Sequence, residues 1–147
     1  MRKVIVKASV EYAILIGRGI LGQLGEEIGK RIQPCKAVII TDTTVEKLYA
    51  EQAEKSLQEA GVTTCRFAYP AGESSKHIGT LSDILEFLAE EEVTRQDIIV
   101  ALGGGVAGDM AGFAAAVYQR GIRFVQVPTT FLAAVDSSVG GKTAIDL

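Results

Sequence analysis

The sequence has few cysteines, a single histidine and no long apolar run. Its 147 residues include two cysteines, Cys35 and Cys65, and one histidine, His77. Two cysteines without metal-ligand spacing form neither a disulfide framework nor a zinc site, so we interpret both as structural thiols. One histidine cannot build a zinc site of three protein ligands, so we interpret His77 as a surface residue at a helix start. We expect no metal site within these residues.

Membrane insertion is also unsupported by the sequence. The apolar run at 110–118 has nine residues, whereas a spanning helix needs about 20. Lys7 and Glu11 interrupt the segment where a signal peptide would have its apolar core. We therefore expect no membrane partner and a cytoplasmic location.

The charge balance is mildly acidic. Fifteen Lys and Arg residues against eighteen Asp and Glu residues give a formal net charge of −3. No block of basic residues is present, so the sequence lacks the electrostatic footprint of a nucleic-acid-binding protein. With 48% apolar residues, a chain of this length is expected to form one domain with its own core.

Short apolar runs alternate with helical patterns after an opening pair of strands. Val4 to Lys7 and Tyr12 to Ile16 predict a β-hairpin. Four later segments predict further strands, at 37–40, 64–69, 98–102 and 124–127. The continuous apolar character of 37–40 and 98–102 is typical of strands that are buried on both faces of a parallel sheet. The alternation predicts a Rossmann-like α/β domain, with a mostly parallel sheet covered by helices on both faces.

The end of the first parallel strand carries two hypotheses. Thr43 and Glu46 have the spacing of a capping box, which predicts that Thr43 caps a helix ended by Gly61. Asp42 ends the strand, where ligands bind in parallel α/β sheets. It is either a ribose-binding acid or a plain helix-capping residue.

Glycine is concentrated after the strand at 98–102. Eight of the 16 glycines lie between Gly103 and Gly141, and three of them are consecutive at 103–105. In this order a strand is followed by glycines and then by the N-terminus of a helix. Such an arrangement lets backbone N–H groups and the helix dipole bind a pyrophosphate. A tight turn with close helix packing would also use glycine, but three in a row exceed what a turn needs. The spacing through Gly108 fits G-x-G-x-x-G, without the acidic residue expected about 20 residues later.

Two further charged groups are candidates. Between Phe124 and Gly141 only Asp136 is charged, and an isolated carboxylate is costly to bury, so we expect it to be capped or held for a ligand. Asp136 also occupies the first glycine position of a P-loop ending at Gly141-Lys142-Thr143, which argues against a P-loop. Glu73 and Lys76, three residues apart, fit a solvated first turn or a site.

Four motifs resemble a known enzyme family. Residues 103–113 read GGGVAGDMAGF, 118–122 read YQRGI, and 127–143 contain VPTT and DSSVGGKT. With Gly72-Glu73-x-x-Lys76, they resemble the 3-dehydroquinate synthases of the sugar-phosphate cyclase superfamily. Members of that family bind NAD and zinc and convert 3-deoxy-D-arabino-heptulosonate 7-phosphate into 3-dehydroquinate and phosphate, in the shikimate pathway of aromatic amino acid biosynthesis.

The resemblance also implies roles for individual residues. In the cofactor site, Asp42 would hold the adenosine ribose, and Thr129 and Thr130 would flank the cofactor. The nicotinamide-side ribose would contact Gly72, Glu73 and Lys76, and the pyrophosphate would contact Gly104, Gly105, Val106, Ala107, Gly108 and Asp109. Three residues would serve catalysis: Asp136 and Lys142 at the junction of nicotinamide and substrate, and Arg120 at the substrate phosphate of a neighbouring subunit in a homodimer. Lys142 would also contact the cofactor.

The sequence departs from the family in length. Family members continue into a mostly helical domain that holds the zinc ligands, a glutamate and two histidines, whereas this sequence stops at Leu147, with Asp146 where many relatives have asparagine. We therefore expect residues 1–147 to be the NAD-binding domain of a two-domain enzyme, to lack the helical domain and its zinc, and to be inactive alone.

Two alternatives stay open. The chain could be the same domain of another sugar-phosphate cyclase or of an iron- or zinc-dependent polyol dehydrogenase, although the dehydrogenases generally lack the run that begins at Asp136. It could also be a stand-alone nucleotide-binding or interaction module, which a natural gene ending at Leu147 would favour.

Overall fold

A four-stranded parallel sheet forms the centre of the computed structural model, which describes residues 1–33 and 36–146. The strand order is β4-β3-β5-β6, and all three neighbouring pairs are parallel. The strands are β3 (Lys36–Asp42), β4 (Thr63–Tyr69), β5 (Ile98–Gly103) and β6 (Arg123–Pro128). The four strands predicted from the apolar runs are all present, each a little longer than its run.

Helices connect the strands. They are α1 (Leu24–Gly29), α2 (Thr43–Val45), α3 (Glu51–Glu59), α4 (Ile78–Glu90) and α5 (Gly105–Val117). A π-helical turn at Glu46–Ala50 joins α2 to α3, so the backbone stays helical from 43 to 59. Gly61 follows this helix with φ +81°, as the sequence predicts for its C-terminal cap.

The hairpin forms a separate two-stranded sheet. Strand β1 (Arg2–Val6) pairs antiparallel with β2 (Tyr12–Ile16). The first strand therefore begins two residues earlier than predicted and ends one residue earlier. The Tyr12 hydroxyl accepts a hydrogen bond from the backbone N–H of Gly140 at 3.2 Å, which ties the hairpin to the last part of the chain.

The predicted helices on both sheet faces are confirmed. Side chains alternate across a strand, and β3 and β5 divide their fully buried residues between two cores. One core, beneath α4 and α5, contains Val38, Ile40, Ile99 and Ala101. The other, beneath α1 and α3, contains Ala37, Ile39, Val100 and Leu102.

This arrangement creates a crevice at the carboxyl edge of the sheet. Strands β3 and β5 are neighbours, but the chain leaves β3 toward α3 on one face and leaves β5 toward α5 on the other. In open α/β sheets, ligands bind at such a topological switch point. We call this the carboxyl-edge crevice; it is bounded by Asp42, by residues 103–105, and by Thr129 and Thr130.

Two of the expected minor features can be checked. Cys65 is half-buried on β4, and burial raises the pKa of its thiol to about 11, so the thiol stays protonated at neutral pH, as a structural cysteine should. Cys35 lies outside the described residues. His77 is exposed and immediately precedes α4, so the predicted position at a helix start is confirmed.

Within the described ranges, no helix combines the length and apolar character that crossing a bilayer requires.

Candidate functional site

Helix α5 begins at the carboxyl-edge crevice with free backbone donors. Gly104 occupies the N-cap position and, among the described residues, no side chain caps the helix. The first helical N–H with a partner inside the helix is that of Gly108, which donates to Gly104 O at 3.2 Å. The N–H groups of Gly105, Val106 and Ala107 and the positive end of the helix dipole are therefore available to an anion.

The glycines of this loop have two distinct functions. A Cβ on Gly104 would lie 3.5 Å from Thr130 Cγ2, which is ordinary contact, so this position remains open on the crevice side. A Cβ on Gly108 would lie 2.5 Å from Gln126 Oε1, so Gly108 permits close packing of α5 on β6. The close-packing interpretation of the glycines is therefore confirmed at Gly108, and pyrophosphate binding by the glycines before it stays a prediction.

Asp42 caps a helix and also faces the crevice. Its Oδ1 accepts hydrogen bonds from the N–H groups of Thr44 at 2.8 Å and Val45 at 2.9 Å. Its Oδ2 lies 3.8 Å from where a Cβ on Gly103 would stand. The prediction that Thr43 caps this helix is wrong, because the N-cap is Asp42, one residue earlier, whose carboxylate accepts from the first-turn N–H groups. Thr43 Oγ1 instead accepts from Ala71 N at 3.2 Å, which fixes the loop after β4.

Lys76 and Asp109 form an ion pair in this structure. Lys76 Nζ lies 2.9 Å from Asp109 Oδ2, and the two side chains are 16% and 15% exposed. Glu73 lies 4.0 Å from Lys76 and is exposed. The hydrogen bond to Asp109 raises the pKa of Lys76 above its ordinary value of 10.5. Three predicted cofactor-binding residues are thus brought together, and Gly72 precedes them as the N-cap of a short 3₁₀ helix.

Asp136 and Lys142 also pair with each other. Asp136 lies in a π-helical turn at Ala133–Ser137, and its Oδ1 accepts from Lys142 Nζ at 3.0 Å. Asp136 is not buried, so the cost of burial from which we expected a cap or a ligand does not arise: the side chains of Asp136 and Lys142 are 59% and 66% exposed. The small and apolar neighbours in the sequence do not cover the carboxylate, because the π-helical turn projects it toward solvent.

Arg120 lies far from these residues. Helix α5 runs antiparallel to the strands and ends at Val117, so Arg120 stands at the amino-terminal edge of the sheet, just before β6 begins at Arg123. The structure therefore does not bring Arg120 to the carboxyl-edge crevice of its own chain.

Sequence reasoning missed three hydroxyl groups near the carboxyl edge, those of Thr41, Tyr69 and Ser137. Among the described residues, their oxygens and that of Thr129 are buried without a hydrogen-bond partner. Ser137 Oγ lies 3.5 Å from where a Cβ on Gly105 would stand. Unpartnered buried hydroxyls are costly, and a bound ligand would satisfy them. Thr129 is among the predicted cofactor-binding residues. Thr41, Tyr69 and Ser137 are uncharged, and no feature of the sequence marks their hydroxyls as buried without a partner.

A protein-family comparison decides the relationship. Residues 66–147, more than half of the chain, match the family described as 3-dehydroquinate synthase N-terminal. The chain belongs to this family. The resemblance drawn from the glycine and DSSVGGKT motifs is therefore confirmed.

Individual relatives of this family support the assignment. A 3-dehydroquinate synthase from Clostridium acetobutylicum is 50% identical over 136 residues, which cover 92% of this chain and 38% of that protein. The chain thus spans about two-fifths of the length of the curated relatives it matches.

Solved structures show the same fold. The structure of 2-deoxy-scyllo-inosose synthase, complexed with carbaglucose-6-phosphate, NAD+ and Co2+, has a TM-score of 0.89 at 28% identity and covers 99% of this chain and 40% of that one. A 2-epi-5-epi-valiolone synthase from Streptomyces hygroscopicus subsp. jinggangensis 5008, with NAD+ and Zn2+ bound, has a TM-score of 0.82 at 28% identity and covers 98% and 39%.

These relatives include metal-bound proteins, whereas across residues 1–33 and 36–146 no cluster of three or more potential metal ligands is found.

Proposed function

We propose that this chain binds NAD in the carboxyl-edge crevice and serves as the cofactor domain of a 3-dehydroquinate synthase. The observation that carries the proposal is the uncapped N-terminus of α5 at the topological switch point of the sheet. Its free N–H groups fit a pyrophosphate, and the unpartnered hydroxyl of Thr129 stands beside β5, with Thr129 N donating to Gly103 O at 2.9 Å.

The residues around this point fit the rest of a dinucleotide. The pyrophosphate would contact the backbone from Gly104 to Gly108. Asp42, at the end of the neighbouring strand, would accept hydrogen bonds from the adenosine ribose through Oδ2, because Oδ1 is engaged in the helix cap. Thr130, whose Oγ1 already accepts from Ala133 N at 3.1 Å, retains a hydroxyl hydrogen that it can donate to the cofactor.

Lys76 would lie on the nicotinamide side with Glu73 beside it, and its partner Asp109 would lie toward the pyrophosphate. Neither partner needs to change its protonation state on binding, because an ion pair stabilises both charged forms. Gly72 would let the loop approach the ribose closely.

Asp136 and Lys142 would face the junction of nicotinamide and substrate. Their exposed side chains are free to reorient, and a lysine suits an anionic sugar phosphate. NAD bound there would supply a reversible hydride acceptor for the carbon that bears a substrate hydroxyl, and the cofactor would be unchanged after the full reaction. Asp136 and Lys142 would orient the substrate and hold or move the hydroxyl proton. Arg120, at the opposite edge of the sheet, would reach the substrate phosphate of a neighbouring subunit.

We further propose that residues 1–147 are one NAD-binding domain of a longer enzyme. The relatives are much longer, as the shares of their length show. Beside Asp136, Phe131, Leu132 and Val135 are 83%, 71% and 57% exposed. Such an apolar surface suits burial against the remaining part of the enzyme. The ligands of a catalytic zinc or another divalent metal would come from that part.

Another sugar-phosphate cyclase is the second candidate, favoured by the structural overlap with 2-deoxy-scyllo-inosose synthase. The higher identity to 3-dehydroquinate synthases favours the first candidate. Assays of the full-length parent with 3-deoxy-D-arabino-heptulosonate 7-phosphate and with glucose 6-phosphate distinguish the two by the product formed.

Calorimetric titration of the isolated chain with NAD tests the cofactor proposal, with AMP and nicotinamide mononucleotide as half-ligand controls. We expect saturable binding of NAD that is tighter than that of either half. Absence of heat and of thermal stabilisation at millimolar NAD would contradict the proposal. The isolated chain should form no dehydroquinate, and detectable product would contradict its assignment as a cofactor domain that needs the rest of the enzyme.

A further inference from the structure

The segment that carries Lys142 returns across α5. We call residues 140–146 the returning segment. It leaves the π-helical turn through two consecutive glycines with positive φ, Gly140 at +89° and Gly141 at +69°. Asp146 N then donates to Lys76 O at 3.0 Å beside α4, and Ile145 packs against the core beneath α4 and α5.

Gly112 is the place where α5 meets this segment. It lies inside the helix and is buried. A Cβ at this position would collide with Thr143 Cγ2 and would stand 3.3 Å from the ring of Phe124. Glycine is unfavourable inside a helix, so its presence here is explained by the close approach of Thr143.

The contact between Thr143 and Gly112 restricts the backbone of Lys142 on its C-terminal side only. Two glycines precede Lys142, and glycine leaves the backbone free to turn. Thr143, packed on Gly112, follows it directly. Among the described residues, the Lys142 side chain contacts one charged partner, Asp136. The position of the Lys142 backbone is therefore set by the packing of Thr143 and Ile145 rather than by the turn before it.

We propose that Gly112 is a positioning residue for Lys142. It allows Thr143 to pack directly on α5, and this packing fixes the backbone of Lys142 so that its Nζ stands beside Asp136 at the cofactor and substrate site. The inference rests on the proposed function for the role of Lys142, but the packing itself can be tested without the cofactor.

The test compares four variants of the chain. G112A introduces the colliding Cβ. T143S removes only Cγ2, so G112A/T143S removes the principal collision. G29A adds a Cβ to a helical glycine that has open space around it and serves as the control. K142M removes the ammonium group.

Two readouts are measured: amide hydrogen exchange at Asp146 and NAD affinity by calorimetry. We expect G112A to accelerate exchange at Asp146 and to weaken NAD binding, each by about tenfold, which is the usual size of an overpacking effect. G112A/T143S should recover to within about threefold of wild type, because the smaller contact with Phe124 remains. G29A should match wild type in both readouts.

The possible failures are distinguishable. K142M with wild-type NAD affinity contradicts the role proposed for Lys142. G112A with wild-type protection at Asp146 overturns the positioning inference, whatever K142M shows. A third outcome also overturns the inference: G112A accelerates amide exchange at Asp146 but keeps wild-type NAD affinity, while K142M weakens NAD binding. If G112A does not fold, I145A loosens the same segment without altering α5 and must produce both effects; failure to do so overturns the inference.

Discussion

Helices α4 and α5 have the same length and both begin at the carboxyl side of the sheet, but their first turns differ. Each has 13 residues. His77 precedes α4, and its Nδ1 accepts from Gly79 N at 3.0 Å and from Thr80 N at 3.4 Å. Gly104 precedes α5 and has no side chain with which to cap it. Two first-turn amides of α4 therefore have an acceptor within the protein, whereas those of Gly105, Val106 and Ala107 in α5 have none among the described residues.

The same contrast applies to the continuous helix that begins with α2, whose first amides bond to Asp42. Two of the three helices beginning at this side of the sheet are capped by side chains, and the third stands at the switch point between β3 and β5. A helix end without a cap loses stability. We infer that α5 has no capping side chain because such a side chain would compete with the bound pyrophosphate.

Giving α5 a side-chain cap at Gly104 should produce the largest effect on NAD affinity. The backbone of Gly104 is extended, with φ −78°, as at other N-caps, so G104D and G104N should both fold and cap the helix. G104D adds a negative charge where the pyrophosphate would bind, and we expect calorimetry to show NAD affinity reduced at least about a hundredfold.

G104N is the matched control, since it has the same shape without the charge. Its loss of affinity should be about tenfold smaller than that of G104D. Equal losses for both variants would indicate that the added side chain acts by its size alone, and unchanged affinity in both would place the cofactor elsewhere.

Removing one charge of the Lys76–Asp109 pair should have the next largest effect. D109N leaves the largely buried Lys76 without its partner, and we expect the free energy of unfolding to fall by about 1–3 kcal/mol. Urea denaturation measures this change. The double variant K76M/D109L should recover much of the stability but none of the NAD affinity. Recovered binding would remove both residues from the proposed cofactor site.

Removing the cap of α4 sharpens the comparison from the other side. H77A leaves two amides of α4 without their acceptor, so the free energy of unfolding should fall by about 1 kcal/mol, as measured by thermal denaturation. NAD affinity should stay within about twofold of wild type, because a capped helix start takes no part in binding. A loss of NAD affinity much greater than this would contradict the division between the two helices.

The smallest expected effect is a dependence on alkaline pH. The pKa of Lys76 is raised in the folded state by Asp109, so this pair stabilises the fold below the ordinary lysine value of 10.5 and is lost as pH rises through the raised pKa. Wild type should therefore lose stability more steeply than D109N above pH 10.5. Cys65 and Tyr69, whose pKa values are raised by burial, contribute the same slope to both proteins. Identical slopes in the two proteins would contradict the pairing.

The fold and the central part of the site follow from local features of the sequence. The two central strands, β3 and β5, contain short apolar runs at 37–40 and 98–102, and the glycines after β5 mark a helix start at the sheet edge. Both signals depend on residues close together in the chain. Asp42 was correctly recognised as open to two interpretations, and the structure explains why: one carboxylate oxygen caps α2 and the other is turned toward Gly103.

The remaining features depend on contacts between distant segments. The exposure of Asp136 follows from a π-helical turn, which apolar neighbours in the sequence do not reveal. The pairing of Lys76 with Asp109 requires the packing of α4 beside α5. The burial of the Ser137 hydroxyl depends on its approach to Gly105. Arg120 belongs to the same motif region as the glycines, yet a full helix separates it from them.

A nuclear magnetic resonance titration of the 15N-labelled chain with NAD tests the central claim most directly. If the pyrophosphate binds at the first turn of α5, the largest amide shifts will occur at Gly105, Val106 and Ala107, while Gly79 and Thr80 at the capped start of α4 will move much less. Saturable binding whose largest shifts lie elsewhere, with the first turn of α5 unmoved, would contradict the account.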